Sequence, residues 1–302
     1  MPATVRARQL GRYFVQMKAP AVADAVLRSG AATSAPQRVA AAGALRAQEG
    51  AIAQAKSLGG SVTFRYKVLV NAFSAQLSAK AAAALAQRPD VQSVQPVSIV
   101  RMDLTTSVPF IGADQVWNDF GVRGQGMRVA IVDTGIDYTH ASFGGAGTVV
   151  AYDDNDPTFI EPDSFPTDKV IGGFDFVGND YDVLDADPTN DVPRPDFDPL
   201  DSDGHGTHTG STVAGINVPG EVGRGVAPKA SLYAYKVWDE GNSTDDVLVA
   251  AYERAMDPNQ DGSIADAVDV LSFSGGVDYG TLNSMEAMAA QRVVDLGTVF
   301  VA

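Results

Sequence analysis

The sequence contains no cysteine, which excludes disulfide bonds, a thiol nucleophile and thiolate metal ligands. Only three of the 302 residues are histidines, so a zinc site built from imidazoles alone is hard to assemble. The chain has 22 basic and 37 acidic residues, and its formal net charge of −15 argues against nucleic acid as a partner. No apolar run is long enough to span a bilayer, so we expect no membrane partner.

The composition is that of a soluble globular chain, with 45% hydrophobic and 20% charged residues. A length of 302 residues is enough for two domains. An acidic surface is compatible with cation binding, with high salt or simply with solubility, and composition does not choose between them. The first residues carry charge without an apolar stretch after it, so no signal peptide is visible.

The amino-terminal third alternates between strand and helix patterns in the order β-α-β-β-α-β. This order predicts a small ferredoxin-like α+β domain. The predicted elements are a strand at 12–18, a helix at 20–57 broken near Pro36, strands at 62–67 and 73–77, a helix at 79–87 capped by Ser78, and alternation over 91–100.

The rest of the chain alternates buried strands with amphipathic helices, which predicts an α/β domain with a doubly wound parallel sheet. Its predicted strands lie at 129–132, 169–177, 230–238, 268–274 and 298–302. Its predicted helices lie at 207–216, at 245–256 with Thr244 as the N-cap, and at 282–296.

Two polar residues occupy positions at which such a sheet carries its chemistry. Asp133 ends an apolar strand, and His205 lies between two glycines at a predicted helix start. The carboxyl ends of parallel strands face one crevice, so the two side chains are expected to meet there. A carboxylate beside an imidazole is typical of an Asp-His catalytic pair.

Four motifs, in this order, resemble those of the subtilisin-like serine peptidases. They are Val132-Asp-Thr-Gly-Ile-Asp137, Gly204-His-Gly-Thr-His-Thr-Gly210, Gly225-Val-Ala-Pro-Lys-Ala-Ser-Leu-Tyr-Ala-Tyr-Lys-Val237 and Asp269-Val-Leu-Ser-Phe-Ser-Gly-Gly276. The amino-terminal domain, with Asn71-Ala-Phe-Ser-Ala-Gln-Leu-Ser78, resembles the family's inhibitory propeptide. The long segment between the first two motifs is similar to that of large secreted members with a protease-associated insert.

The resemblance implies a serine endopeptidase precursor. Asp133 would orient the ring of His205, and His205 would take the proton of a serine hydroxyl. No serine of this sequence lies in the family's Gly-Thr-Ser-Met-Ala-like setting, so the nucleophile and the oxyanion-binding asparagine are expected beyond Ala302. We therefore expect the 302-residue chain alone to be inactive.

The resemblance also implies a substrate, an internal inhibitor and a location. The substrate would be an extended polypeptide that pairs with two segments, Gly241-Asn242-Ser243 and Ser274-Gly275-Gly276. Residues 1–103 would be the propeptide that inhibits the catalytic part, 104–302, and the stretch after Val97 would lie extended across the catalytic cleft. By resemblance to the family the protein would be secreted.

A separate segment has the oxygen spacing of the first part of an EF-hand loop. Asp257, Asn259 and Asp261 would supply side chains, Ser263 a backbone carbonyl and Asp266 a further carboxylate to one calcium ion. The bidentate acid expected at position twelve is absent, because that residue is Val268. An ordinary Asp-Asn-Gly turn remains the alternative.

Three further expectations follow from the same motifs. The aspartates of the segment 153–203 are expected to be solvated rather than to bind a second ion. His208, three residues after His205, is expected to be buried in helix packing rather than to bind zinc. The rival functions are a non-catalytic binding or inhibitory protein with the same scaffold, and a calcium-dependent adhesive module.

Overall fold

The computed structural model describes residues 11–29, 34–102, 111–219, 223–239, 242–276 and 281–302. The chain forms two compact units. The first extends to Ser98 and includes Asp261–Ser263, and the second comprises Ile99–Gln260 and Ile264–Ala302. In the part of the chain that is described, no helix combines the length and the apolar character needed to cross a membrane.

The first unit contains a four-stranded antiparallel sheet in the order β2-β3-β1-β4. Its core is formed by apolar side chains from the strands and from two helices, among them Phe73, Ile52 and Leu85. In chain order the elements are β1 (Arg12–Met17), α1 (Val22–Ser29), α2 (Ser34–Ser57), β2 (Ser61–Tyr66), β3 (Ala72–Gln76), α3 (Ala79–Ala86) and β4 (Val91–Pro96).

Two residues were predicted to mark helix boundaries in this unit, Ser78 as a cap and Pro36 as a break, and only the first prediction is confirmed. Ser78 caps α3 as predicted, because its hydroxyl accepts a hydrogen bond from the Ala81 amide at 3.1 Å. Pro36 does not break a helix, because it lies in the first turn of α2, where a residue without an N–H is tolerated. The described helices of this region are α1, Val22–Ser29, and α2, Ser34–Ser57.

The second unit contains a five-stranded parallel sheet in the order β12-β10-β6-β8-β7. A second, three-stranded sheet has the order β11-β5-β9. In chain order the elements are β5 (Ile99–Met102), α4 (Ala113–Phe120), β6 (Arg128–Asp133), α5 (Val149–Asp153), β7 (Val170–Asp175), α6 (His205–Ala214), β8 (Ser231–Lys236), β9 (Ser243–Thr244), α7 (Asp245–Met256), β10 (Val270–Phe273), β11 (Gly275–Gly276), α8 (Met285–Asp295) and β12 (Val299–Val301).

Strand β6 is the central strand of the parallel sheet. Its residues Val129 to Val132 are all buried, as expected for a strand covered on both faces. The chain adds β7 and β8 on one side of β6 and then crosses to add β10 and β12 on the other side. Such a reversal opens a crevice at the carboxyl ends of the strands. The predicted α/β class with a parallel sheet and the predicted small ferredoxin-like α+β domain are both confirmed.

The prediction for the start of α7 is correct in position but wrong in the hydrogen bond that Thr244 was expected to make. Thr244 occupies the N-cap position, but its side chain makes no capping hydrogen bond. The hydroxyl donates instead to Oδ1 of Asp246 at 2.5 Å. The hydroxyl also lies 3.1 Å from the hydroxyl of Tyr181, so its partners are tertiary contacts rather than the first-turn amides of α7.

Candidate active site

Asp133 and His205 meet at the carboxyl end of the parallel sheet. Asp133 is the last residue of β6, and His205 is the first residue of α6. Oδ1 of Asp133 and Nδ1 of His205 are 2.5 Å apart, and the two side chains are only 1% and 7% exposed. A charge-assisted hydrogen bond of this length holds the ring in one orientation.

The carboxylate of Asp133 is fixed by further donors. The backbone amide of Thr134 donates to Oδ1 at 2.7 Å, and the hydroxyl of Thr209 donates to Oδ2 at 2.9 Å. Thr209 lies one turn after His205 on α6, so the same helix that carries the imidazole also orients its partner. The threonine is a functional position that sequence reasoning missed.

Gly206, the residue after His205, has no room for a side chain. A Cβ on Gly206 would lie 2.1 Å from the backbone oxygen of Gly135 and 3.1 Å from the Cβ of Asp133. The Gly206 amide instead donates to the hydroxyl of Thr134 at 2.8 Å. The start of α6 therefore packs directly on the loop after β6, which brings the two motifs together.

Asp201 connects the loop after β6 to the start of α6. One of its carboxylate oxygens accepts from the hydroxyl of Thr134 at 2.7 Å and from the amide of Gly204 at 2.9 Å. The other oxygen accepts from the amide of Thr207 at 2.8 Å and from that residue's hydroxyl. Asp201 is buried, which contradicts the expectation that the aspartates of segment 153–203 are solvated. The carboxylate is buried because donors from two loops surround it.

The hydrogen bond to Asp133 raises the pKa of His205, and the charges of Asp133, Asp203 and Asp201 act in the same direction. Burial acts against them by disfavouring the imidazolium. Nε2 of His205 is buried and has no hydrogen-bond partner within the described ranges. With Nδ1 donating to Asp133, Nε2 is available to accept a proton, as a general base requires.

His208 lies three residues further along α6, and its placement differs from the prediction. Its side chain is exposed and not buried in helix packing. Among the described residues, His208 belongs to no cluster of three or more histidine and acidic side chains arranged to hold a metal ion. The two imidazoles of α6 therefore have different environments, and only His205 contacts Asp133.

The predicted substrate-pairing segments flank an extended strand of the same chain. Strand β5 pairs antiparallel with β9 on one side, with Ile99 opposite Thr244 and Val100 opposite Ser243. On its other side it pairs antiparallel with β11, with Arg101 opposite Gly276 and Met102 opposite Gly275. Of the predicted substrate residues, Asn242 precedes β9, Ser274 precedes β11 and Gly241 lies outside the described residues.

A buried lysine, Lys236, lies at the end of β8, just before the predicted substrate-pairing segment. Nζ of Lys236 donates to Oδ1 of Asn179 at 2.5 Å and to the hydroxyl of Ser202 at 3.1 Å. The carboxylates of Asp239 and Asp175 are 3.5 and 3.8 Å from the same nitrogen. Burial raises the pKa of Asp175 to about 7, because desolvation outweighs the attraction of Lys236.

The residues predicted to bind calcium are placed as follows. In the second unit the amide of Asn259 donates to Oδ2 of Asp266 at 3.1 Å, and Asp257 is buried at the end of α7. In the first unit the amide of Ser263 donates to Oδ1 of Asp261 at 2.9 Å. The bond from Ser263 to Asp261 is that of an Asx turn, and calcium binding here stays a prediction.

Comparison with protein families gives two matches that together span most of the chain. A model described as the Subtilase family matches residues 124–302. A model described as Peptidase inhibitor I9 matches residues 12–103. The boundary between the two matches lies close to the predicted end of the propeptide at residue 103.

Curated relatives are similar over about three quarters of the chain. The minor extracellular protease Vpr of Bacillus subtilis strain 168 is 31% identical over 258 residues, which cover 78% of this chain and 27% of Vpr. The subtilisin-like protease SBT1.2 of Arabidopsis thaliana is 32% identical over 253 residues, which cover 78% of this chain and 31% of that protein. The chain therefore spans roughly 30% of the length of these relatives.

A solved structure with a similar fold is fervidolysin from Fervidobacterium pennivorans, described as a keratinolytic enzyme related to subtilisin. The TM-score is 0.56, and the alignment covers 99% of this chain and 40% of fervidolysin. The sequence identity is 16%, so this likeness concerns the fold alone.

Proposed function

Because the chain belongs to the subtilase family, we propose that it comprises the inhibitory propeptide and the first part of the catalytic domain of a secreted serine endopeptidase. The observation that carries the proposal is the buried Asp133–His205 hydrogen bond at the carboxyl end of β6. Among the described residues, Nε2 of His205 has no hydrogen-bond partner, and an imidazole in that state beside a carboxylate suits peptide-bond hydrolysis.

In the proposed reaction, His205 would first accept a proton and later donate it. A serine hydroxyl, which the family resemblance puts beyond Ala302, would attack the carbonyl carbon of the scissile peptide while Nε2 takes its proton. Asp133 would stabilise the resulting imidazolium through Nδ1. His205 would then return the proton to the leaving amine, which breaks the peptide bond and leaves an acyl-enzyme for water to hydrolyse.

The substrate class is an extended polypeptide. The pairing of β5 with both β9 and β11 supports this, because those strand edges accept an added antiparallel strand. Backbone pairing of this kind is independent of sequence, so it fits a general endopeptidase.

The same pairing supports a role for the propeptide as an internal inhibitor. Residues 99–102 directly follow the ferredoxin-like unit and occupy the edges that a substrate would need. The match of residues 12–103 to the I9 inhibitor family supports the same role. Secretion is proposed from the similarity to Vpr, an extracellular protease.

The test compares casein hydrolysis by the full-length product of this gene with two histidine variants. His205→Ala is expected to lower kcat at least about 10⁴-fold, because the base is lost. His208→Ala is the matched control on the same helix and should retain activity, since its side chain is exposed. A full-length protein that shows no hydrolysis after removal of the propeptide would favour the rival, non-catalytic scaffold.

Calcium binding is a separate proposal for the segment from Asp257 to Asp266. Its support is the spacing of oxygen-bearing residues and the turn closed by the Asn259 amide and Asp266. Titration calorimetry should detect one Ca²⁺ per 302-residue chain and its loss in Asp261→Ala. Unchanged binding in that variant would remove the proposed site.

A further inference from the structure

A tyrosine from the long segment between β7 and α6 reaches the substrate-pairing strand. Tyr181 is 1% exposed, and its hydroxyl lies 3.1 Å from Oγ1 of Thr244 in β9. We propose that Tyr181 is a positioning residue that fixes β9 for pairing with an extended peptide. The inference rests on the proposed function, because it concerns the same peptide-binding edge.

The direction of the hydrogen bonds follows from the single proton of each hydroxyl. Oγ1 of Thr244 donates to Oδ1 of Asp246 at 2.5 Å, so its proton is already used. The hydroxyl of Tyr181 must therefore be the donor to Thr244. The resulting chain runs from Tyr181 through Thr244 to Asp246, and all three side chains are buried. A buried chain of this kind is costly to interrupt, because the remaining groups lose a partner without gaining water.

The segment that carries Tyr181 is itself held firmly. Oδ1 of Asp175 accepts from the amides of Val177 and Gly178 at 2.7 and 2.8 Å, and the amide of Phe176 donates to the carbonyl of Lys236 at 2.9 Å. These bonds fix the backbone shortly before the tyrosine.

The side chain of Asn179 adds a second attachment. Its amide nitrogen donates to the carbonyl of Pro157 at 2.9 Å, and its oxygen accepts from Nζ of Lys236 at 2.5 Å. Lys236 ends β8 and precedes β9 by only a few residues. The segment is therefore joined to the end of β8, just before the predicted substrate segment, and Tyr181 joins it to β9.

The register of the strands limits the expected effect to one side of the cleft. Thr244 lies opposite Ile99 and Ser243 opposite Val100, whereas β11 holds Arg101 and Met102. Removing the tyrosine hydroxyl should loosen the β9 side and leave the Asp133–His205 pair intact. Tyr181 would thus affect peptide binding rather than proton transfer.

Hydrogen–deuterium exchange of the 302-residue chain tests this directly. In Tyr181→Phe, the amides of residues 99–100 and 243–244 should exchange roughly 3- to 10-fold faster than in the unmodified chain, as expected for one lost buried hydrogen bond, whereas those of residues 101–102, which pair with β11, should not. Tyr235→Phe is the matched control, because its buried hydroxyl donates to the carbonyl of Arg254 at 3.2 Å, outside β9.

A pair of substitutions at Thr244 gives a second measurement if Tyr181→Phe folds poorly. Thr244→Ser keeps the hydroxyl and should preserve protection, whereas Thr244→Val should expose the same amides to exchange. Unchanged exchange in Tyr181→Phe, or an equal increase in Tyr235→Phe, would overturn the positioning role alone. Rapid exchange of residues 99–102 in the unmodified chain would instead contradict the strand pairing, and with it the peptide-binding part of the proposed function.

Discussion

The orientation of one carboxylate determines what His205 can do. Asp133 receives hydrogen bonds from the imidazole, from the Thr134 amide and from the Thr209 hydroxyl, so its plane cannot rotate. The imidazole is therefore held with Nδ1 toward the carboxylate and Nε2 away from it. This arrangement favours the tautomer that can act as a base.

The pKa of His205 should fall when Asp133 is changed to asparagine, because the hydrogen bond to the carboxylate is the largest cause of its raised value. NMR titration of the His205 ring in the 302-residue chain measures this. Asp203→Asn, which removes a more distant charge, should lower the pKa less. A His205 titration that Asp133→Asn does not change would contradict the contact.

The same shift has a consequence for stability. A histidine whose pKa is raised by folding adds stability that is present below its ordinary pKa and is lost as pH rises through the folded value. Asp133→Asn should therefore cost more unfolding free energy at pH 5 than at pH 8. Thermal melts followed by tryptophan fluorescence suit this measurement, because Trp117 and Trp238 both lie in the second unit.

Gly206→Ala is expected to destabilise the second unit by about 1–3 kcal/mol, because the new Cβ would overlap the Gly135 carbonyl. Gly43→Ala is the control, since Gly43 lies inside α2 and a Cβ added there would meet no atom within 4 Å. That change should stabilise by roughly 0.5–1 kcal/mol. Urea unfolding of both variants gives the comparison, and equal effects would show that the close packing at Gly206 is unimportant.

At the scale of elements, periodicity predicted most strands and helices, because burial on two faces or one face imposes a repeat on the sequence. The segment between β7 and α6 was not predictable in this way. It is rich in aspartate, which suggested solvation, yet Asp198 and Asp201 are buried. Their partners, Tyr138 and Thr134, lie about 60 residues earlier in the chain, and no local pattern reveals such pairing.

The same segment explains why the site was only partly predictable. The sequence motifs predicted roles for Asp133 and His205. No neighbouring sequence pattern predicts a role for Tyr181 or Thr209. The error at Thr244 has the same origin, because the hydroxyl expected to cap α7 contacts Asp246 and Tyr181. Tertiary hydrogen bonds decide the role of such polar residues, and a single sequence does not specify them.

The buried carboxyl of Asp175, at the end of β7, should make the folding stability depend on pH in an unusual direction. Its pKa is raised to about 7 by burial, so the folded state keeps a proton that the unfolded chain releases near pH 4. Stability is therefore lost as pH rises from about 4 to about 7, by up to roughly 4 kcal/mol for this group. Asp175→Asn should flatten the dependence of the melting temperature on pH in this range. A slope that stays the same would contradict the raised pKa.

At the scale of the 302-residue chain, strand β12 lies at one edge of the parallel sheet. It pairs with β10, and within the described residues it has no strand on its other side. Val299 and Val301 are 57% and 51% exposed, so apolar side chains accompany the unpaired backbone. An edge of this kind is a template for association.

The 302-residue chain is therefore expected to self-associate, and Val301→Lys should reduce this association. Val39→Lys, on the exposed face of α2, changes the net charge equally and is expected to have little effect. Sedimentation velocity at several concentrations distinguishes the two. A monomeric unmodified chain with a sharp melt would show that the edge is harmless.

The central proposal is that Asp133 and His205 act as the base half of a serine peptidase triad. Labelling with a fluorophosphonate probe tests it most directly, because the probe reacts with serines activated by such a base. We expect no labelling of the 302-residue chain, and labelling of the full-length gene product at one serine after Ala302, lost in His205→Ala. Labelling of the 302-residue chain that disappears when one of its own serines is changed to alanine would contradict the account.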